Sequence, residues 1–85
     1  MADYEVKLPS LGDDSDAPSE ATVSFFYVEV GERIEKEAPL AEMVTDKASF
    51  DVPCPVTGTV KRLAAQEEEV VEVGGLLAVV ETDES

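Results

Sequence analysis

The side chain best placed to do chemistry is a lysine. Lys47 stands in the segment Val44-Thr45-Asp46-Lys47-Ala48-Ser49-Phe50, with apolar, strand-like runs on either side of Asp46-Lys47. A tight turn between two strands projects its side chains into water, so the Lys47 amine is expected at an exposed tip. Two readings are open on these residues alone. One is a solvated turn residue; the other is an acceptor for covalent modification, because an exposed ε-amine on a rigid tip is what a ligase could grip. Asp46 has a turn-capping reading of its own, since Asp side chains commonly accept from backbone N–H groups two residues on. The one thiol, Cys54, reads as a buried or half-buried small residue rather than a redox group.

Composition removes most other chemistry. The 85 residues contain no His and a single Cys, so a His-based triad, a zinc site and an Fe–S cluster lack their ligands. No second Cys exists to pair with Cys54, and the fold must stand on its core, for which 44% apolar residues suffice. Twenty acidic against six basic side chains give a net charge of −14, which repels phosphate backbones and anionic lipid. Nucleic acid and membrane are therefore poor partners, and the patch Lys61-Arg62 is too small to change that. Carboxylates are plentiful, but no nucleophile–base pair can be assembled from this inventory, so an autonomous enzyme is not expected.

The longest purely apolar run, Leu76 to Val80, is far short of a membrane span. The opening Met1-Ala2-Asp3-Tyr4-Glu5 has neither a basic nor an apolar stretch of the kind a signal peptide needs. The expected location is the cytoplasm, or the mitochondrial matrix after processing.

The elements that must position Lys47 have a period of two. Tyr4, Val6 and Leu8 alternate with polar residues up to Pro9, and Ala48, Phe50 and Val52 alternate up to Pro53. Val23 to Val30 and Leu76 to Val80 are β-branched or aromatic-rich runs of strand length, and turn signals fall at Gly31-Glu32, Asp46-Lys47, Gly58 and Gly74-Gly75. Short strands with frequent turns predict a small all-β sandwich or barrel. Leu40, Val23, Val60, Leu77, Val79 and Phe50 are the core candidates. Residues 1–81 are read as one domain, 13–20 as an acidic surface loop, and 82–85 as a frayed tail or the start of a linker.

An internal repeat adds to this. A shift of 37 residues places Thr22–Lys47 on Thr59–Glu84 without a gap, with eight identities: Thr22/Thr59, Val23/Val60, Glu32/Glu69, Glu35/Glu72, Leu40/Leu77, Ala41/Ala78, Thr45/Thr82 and Asp46/Asp83. Two copies are too few for a solenoid and suit two intertwined halves related by a pseudo-twofold axis. The repeat breaks after Thr-Asp, where one half has Lys47 and the other Glu84. Something is placed at one tip only.

Several segments resemble the lipoyl domains of the acyltransferase component of 2-oxo acid dehydrogenase complexes, such as the pyruvate dehydrogenase complex. They are Lys7-Leu8-Pro9-Ser10-Leu11-Gly12, Glu20-Ala21-Thr22-Val23, Val28-Glu29-Val30-Gly31-Glu32 and Pro39-Leu40-Ala41-Glu42. They continue through Thr45-Asp46-Lys47-Ala48, which looks like the lipoylation motif, to Pro53-Cys54-Pro55-Val56-Thr57-Gly58-Thr59-Val60 and Val71-Glu72-Val73-Gly74. The likeness covers nearly the whole chain, in order.

It implies a flattened β-barrel or sandwich of two four-stranded antiparallel sheets with pseudo-twofold symmetry, a barrel-sandwich hybrid. Lipoate would be amide-linked to Lys47, with Asp46, Ala48 and Thr45 as recognition residues. The implied partners are a lipoate ligase or lipoyl transferase, a thiamine-diphosphate-dependent 2-oxo acid dehydrogenase, an acyltransferase domain and a dihydrolipoyl dehydrogenase. The domain itself would be a non-catalytic, monomeric swinging-arm carrier, the acyltransferase belonging to a longer parent protein.

Two other readings stay beside this one. A biotin carboxyl carrier domain shares the fold, but usually has Met on both sides of its lysine where Asp46 and Ala48 stand here. An unmodified lipoyl-like interaction module would need no lysine at the tip. The chain departs from the lipoyl pattern at Val44, where the family often has Glu. It also departs at Glu67-Glu68-Glu69, which replaces a Gly-Asp turn, at Cys54, often Ser, and in its longer acidic loop. By the resemblance that loop lies near the tip and helps the decarboxylase select its carrier.

Overall fold

The computed structural model describes residues 2–11 and 17–82. Among them are eight strands: β1 (Ala2–Lys7), β2 (Glu20–Phe26), β3 (Arg33–Ile34), β4 (Pro39–Val44), β5 (Ser49–Pro53), β6 (Gly58–Leu63), β7 (Val70–Glu72) and β8 (Leu76–Thr82). They form two four-stranded antiparallel sheets, ordered β1-β8-β6-β3 and β5-β4-β2-β7, packed into a flattened, open sandwich. The expected architecture is the one observed.

The 37-residue repeat maps onto this topology strand for strand. Moving from the second sheet to the first exchanges β5 for β1, β4 for β8, β2 for β6 and β7 for β3. Each sheet therefore carries a short strand donated by the other half. The backbone bonds at the exchange are reciprocal. The Gly31 N–H donates to the Val60 carbonyl at 2.8 Å and the Glu68 N–H to that of Val23 at 2.6 Å. Val60 and Val23 donate in turn to the carbonyls of Glu32 and Glu69, at 2.8 and 2.9 Å.

Several identities of the repeat have a visible cause. Leu40-Ala41 and Leu77-Ala78 sit where the ladders slip by a residue. Pro39 and Ala41 face Pro53 and Val52, while Leu76 and Ala78 face Lys7 and Val6. A bulge turns two consecutive side chains toward one face, and all four are fully buried between the sheets. Glu32 and Glu69 each fold back onto the backbone three residues earlier, accepting from the N–H groups of Glu29 and Gln66 at 2.8 and 2.9 Å. Around these positions Val23, Met43, Val52, Val60 and Val80 complete the core, with Phe26, Phe50 and Leu63 partly buried against it.

Some expectations need correcting. The run Val23 to Val30 is not one strand: β2 ends at Phe26, and Val30 is exposed in the turn that leads to β3. Gly58 is not a turn residue but the buried first residue of β6, paired with both Thr82 and Ile34. Glycine is required there because a Cβ would lie 2.2 Å from the Glu81 carbonyl oxygen. Val79 faces outward, opposite Glu5 and Arg62, and leaves the core to its neighbours Ala78 and Val80. Glu20 opens β2 rather than closing the acidic loop, and Thr82 is a buried rung of β8 rather than a frayed tail. The remainder of the loop's acidic run, 13–16, and residues 83–85 lie outside the described residues.

The Glu67-Glu68-Glu69 turn is no longer than its counterpart. Glu68 takes φ +70° where Gly31 has φ +95°, and the pairing around both is the same. The second pair of left-handed positions repeats the arrangement with the residue types exchanged, Glu37 at φ +73° against Gly74 at φ +87°. A non-glycine residue is strained in this region.

Two substitutions test the account by urea unfolding. Gly58→Ala is expected to cost about 1–3 kcal/mol through the clash with β8. Glu68→Gly is expected to stabilise by about 0.5–1 kcal/mol, the relief of strain exceeding the added entropy of the unfolded chain.

Candidate functional site

The β4–β5 hairpin places all four candidate residues, Thr45, Asp46, Lys47 and Ala48, on one turn. Val44 pairs with Ser49 as the last rung, and the four residues between them form the tip. Thr45 fastens it. Its backbone N–H donates to the Ala48 carbonyl at 2.7 Å, and its hydroxyl donates to the same oxygen at 3.1 Å. That hydroxyl also accepts from the N–H groups of Lys47 at 3.2 Å and Ala48 at 3.1 Å. One donor and two lone pairs are all a threonine hydroxyl has, and the turn uses all three.

The capping expected of Asp46 is therefore done by Thr45. Asp46, Lys47 and Ala48 are exposed, and among the described residues the side chains of Asp46 and Lys47 have no hydrogen-bond or ion-pair partner. The result is a braced backbone that presents a carboxylate and an amine side by side to solvent. Sequence reasoning missed the role of the Thr45 hydroxyl, although a Thr at the first position of a turn is a known local cap.

The last rung continues across the sheet as a row with no formal charge. Ser49, Val44, Thr22 and Val70 are consecutive cross-strand partners on the outer face, with Val44 37% and Val70 52% exposed. The corresponding row at the other end of the repeat is Asp3, Glu81, Thr59 and Arg33. The same rung of the same ladder is thus charged where the tip lysine is absent and uncharged beneath Lys47. Val44, one of the departures from the lipoyl pattern, lies in this row.

Other polar groups sit away from the tip. On the outer face of β2 and β5 the Tyr27 hydroxyl donates to Asp51 at 2.8 Å, and the Phe25 ring meets that of Tyr27 edge-on with centroids 4.8 Å apart. The Asp51 hydrogen bond raises the Tyr27 pKa above its ordinary value, with smaller contributions from desolvation and the charges of Asp51 and Glu42. Cys54 is buried, its thiol donating to the Val56 carbonyl at 3.1 Å, and burial pushes its pKa up. Lys61 on β6 pairs with Asp3 on β1 at 2.9 Å, an exposed pair of the kind that contributes little.

Two predictions follow from these bonds. Thr45→Ala is expected to destabilise the domain by about 1–2 kcal/mol in urea unfolding, while Asp46→Ala leaves the midpoint unchanged. In a tyrosinate absorbance titration Asp51→Asn lowers the Tyr27 midpoint toward about 10. Because the folded pKa is the higher one, the stability this bond contributes is present below about pH 10 and is lost as pH rises through the folded value.

A family model described as "Biotin-requiring enzyme", for biotin- and lipoyl-attachment domains, matches residues 4–80. The dihydrolipoyllysine-residue succinyltransferase component of the 2-oxoglutarate dehydrogenase complex of Bartonella vinsonii subsp. berkhoffii is 39% identical over 77 residues, covering 91% of this chain and 18% of that protein. The chain thus spans about a fifth of the length of that curated relative. Among solved structures, the lipoyl domain of the 2-oxoglutarate dehydrogenase complex from Azotobacter vinelandii superposes with a TM-score of 0.68 at 22% identity, over 92% of this chain and 96% of that one. A single-chain, multi-domain long-chain acyl-CoA carboxylase superposes with a TM-score of 0.78 at 16% identity, over 98% of this chain and 7% of that one.

Proposed function

The chain belongs to the biotin- and lipoyl-attachment family, and from that premise we propose that it is a lipoyl carrier domain with lipoate amide-linked to the Nζ of Lys47. The observation that carries this reading is the tip itself. A lysine amine without a side-chain partner among the described residues stands on a hairpin whose backbone is fixed by Thr45. A modifying ligase or transferase needs an amine that it can enclose without unfolding its bearer, and this turn supports that. Asp46 and Ala48 flank the amine as recognition residues, and the exposed Asp46 carboxylate is free to contact the modifying enzyme.

When bound, lipoate supplies a dithiolane that accepts acyl groups and reducing equivalents. The chain's own part is mechanical and electrostatic. It holds the attachment point on a rigid tip, raises the effective concentration of the arm at successive sites, and catalyses nothing itself. Those sites belong to a thiamine-diphosphate-dependent 2-oxo acid dehydrogenase, an acyltransferase domain of a longer parent protein and a dihydrolipoyl dehydrogenase. The monomeric domain works in the cytoplasm, or in the matrix of a mitochondrion. Amide formation removes the Lys47 charge and makes the domain more negative still than −14, so its contacts are steered toward basic surfaces and weaken with salt.

The biotin carrier shares the backbone, and the carboxylase superposition reflects fold alone. The residues that favour lipoate are Asp46 and Ala48, which replace the methionines usual in biotin acceptors.

The test is intact mass after co-expression with a lipoate ligase and, separately, a biotin ligase. A lipoyl-sized gain that disappears in a folded Lys47→Arg variant is the expected result. A biotin-sized gain moves the chain to the carboxylases, and no gain with either enzyme leaves an interaction module.

A further inference from the structure

The outer faces of the two sheets are related by the repeat, yet they are charged differently. All six basic side chains lie among the described residues, and none is on β2, β4, β5 or β7, the sheet that bears the Lys47 hairpin. Lys7, Arg33, Lys61 and Arg62 belong to strands of the other sheet, while Lys36 and Lys47 lie in turns. The hairpin's sheet nevertheless carries the carboxylates of Glu20, Glu42, Asp51 and Glu72.

Glu42 and Asp51 are direct cross-strand partners on that face, a placement in which like charges repel. The other face shows how the chain relieves such a pair. There Asp3 stands opposite Glu81, and Lys61 bonds to Asp3 at 2.9 Å while feeling the charge of Glu81. The 37-residue shift puts Ser24 and Phe25 where the second half has Lys61 and Arg62. Arg62 faces Val79, which faces Glu5; in the same way Phe25 faces Glu42, which faces Asp51. On the hairpin's sheet a hydroxyl and a ring thus replace the two cations, and Glu42 and Asp51 have no ion-pair partner among the described residues. Beside them Tyr27, 42% exposed, meets the Phe25 ring edge-on and donates its hydroxyl to one oxygen of Asp51.

We infer that this face docks a partner protein through an arginine side chain, which supplies the cation that the repeat omits here. A guanidinium is planar, so it can lie against the Tyr27 and Phe25 rings while its N–H fork donates to Glu42 and to the second oxygen of Asp51. An ammonium group brings the charge without the plane or the fork, so arginine is preferred to lysine. A second copy of this chain is a poor occupant, because each copy carries a net charge of −14. The row of Phe25, Glu42 and Asp51 lies one step farther from the tip than Val44. A partner gripping it therefore holds the sheet that supports the hairpin and leaves Lys47 unobstructed. The inference goes beyond the carrier reading and does not depend on whether Lys47 is modified.

The experiment is an NMR titration of the isotope-labelled chain with two probes, the acetylated tripeptide amides Gly-Arg-Gly and Gly-Lys-Gly. The arginine probe is expected to shift the Phe25 and Tyr27 ring signals and the Glu42 and Asp51 carboxylates along one saturable curve. The lysine probe is expected to bind the same residues about threefold more weakly. The double variant Glu42→Gln/Asp51→Asn, which keeps an acceptor for the Tyr27 hydroxyl, should weaken the arginine probe about tenfold. Asp3→Asn/Glu5→Gln removes the same charge from the opposite face and should leave that affinity unchanged. The proposal is overturned if the two double variants weaken binding equally, which would make it an effect of net charge alone. It is also overturned if lysine binds as well as arginine, or if the shifts spread over the whole surface. Concentration-dependent shifts of the same signals in the chain alone would assign the face to a second copy and overturn it too.

Discussion

Neither half of this chain can bury its own apolar face, and the exchange of short strands between them is what the rest of the structure depends on. The sheet of β6 and β8 takes β1 and β3 from the first half of the chain, and the sheet of β2 and β4 takes β5 and β7 from the second. The corners that make the exchange possible close through matched backbone bonds from Gly31 to Val60 and from Glu68 to Val23. With the halves locked in this way, Leu40-Ala41 and Leu77-Ala78 can point inward together and fill the space between the sheets. β4 is thereby held on both sides, by β2 and β5, and the hairpin at its end inherits that support.

The symmetry is informative because it shows which features the fold requires and which it merely permits. Thr45 and Thr82 are the same residue in the two copies but do different work. One braces a solvent-facing turn through its hydroxyl; the other is a buried rung between Ala2 and Gly58. The outer row at Asp3 and Glu81 is charged without harm to the ladder, so the fold does not demand the valine found at Val44. What distinguishes the lysine end is a set of local departures from the repeat: an amine and an uncharged row beneath it.

Much of this was legible in the residues. Period-two runs located β1 and β5, continuous apolar runs located β2 and β8, the 37-residue repeat announced two interlocked halves, and its break at Lys47 singled out one tip. Other features were hidden for physical reasons. The run from Val23 to Val30 looks continuous because hydrophobicity does not record where a ladder ends, and here the back-bonded turn at Glu29 and Glu32 ends it. Gly58 resembles a turn signal because composition cannot distinguish a glycine needed for φ from one needed for close approach. Val79 was expected inside because the bulge at Leu77-Ala78 resets the alternation of β8 just ahead of it. At the tip, two candidate acceptors stood side by side, and only the folded turn shows that the Thr45 hydroxyl, not the Asp46 carboxylate, reaches the backbone.

The pairing of Ala2 with Thr82 has a mechanical consequence. β1 and β8 are adjacent and antiparallel, so a load applied between those two residues opens their ladder one rung at a time, like a zip. A load applied between Lys47 and either of them is borne differently. Lys47 stands on the β4–β5 hairpin, in the other sheet from β1 and β8. A pull between Lys47 and either residue therefore passes through both sheets rather than through a single ladder. Strain applied at the first and last strands is thus taken by one ladder, and strain applied at Lys47 is shared between the two sheets.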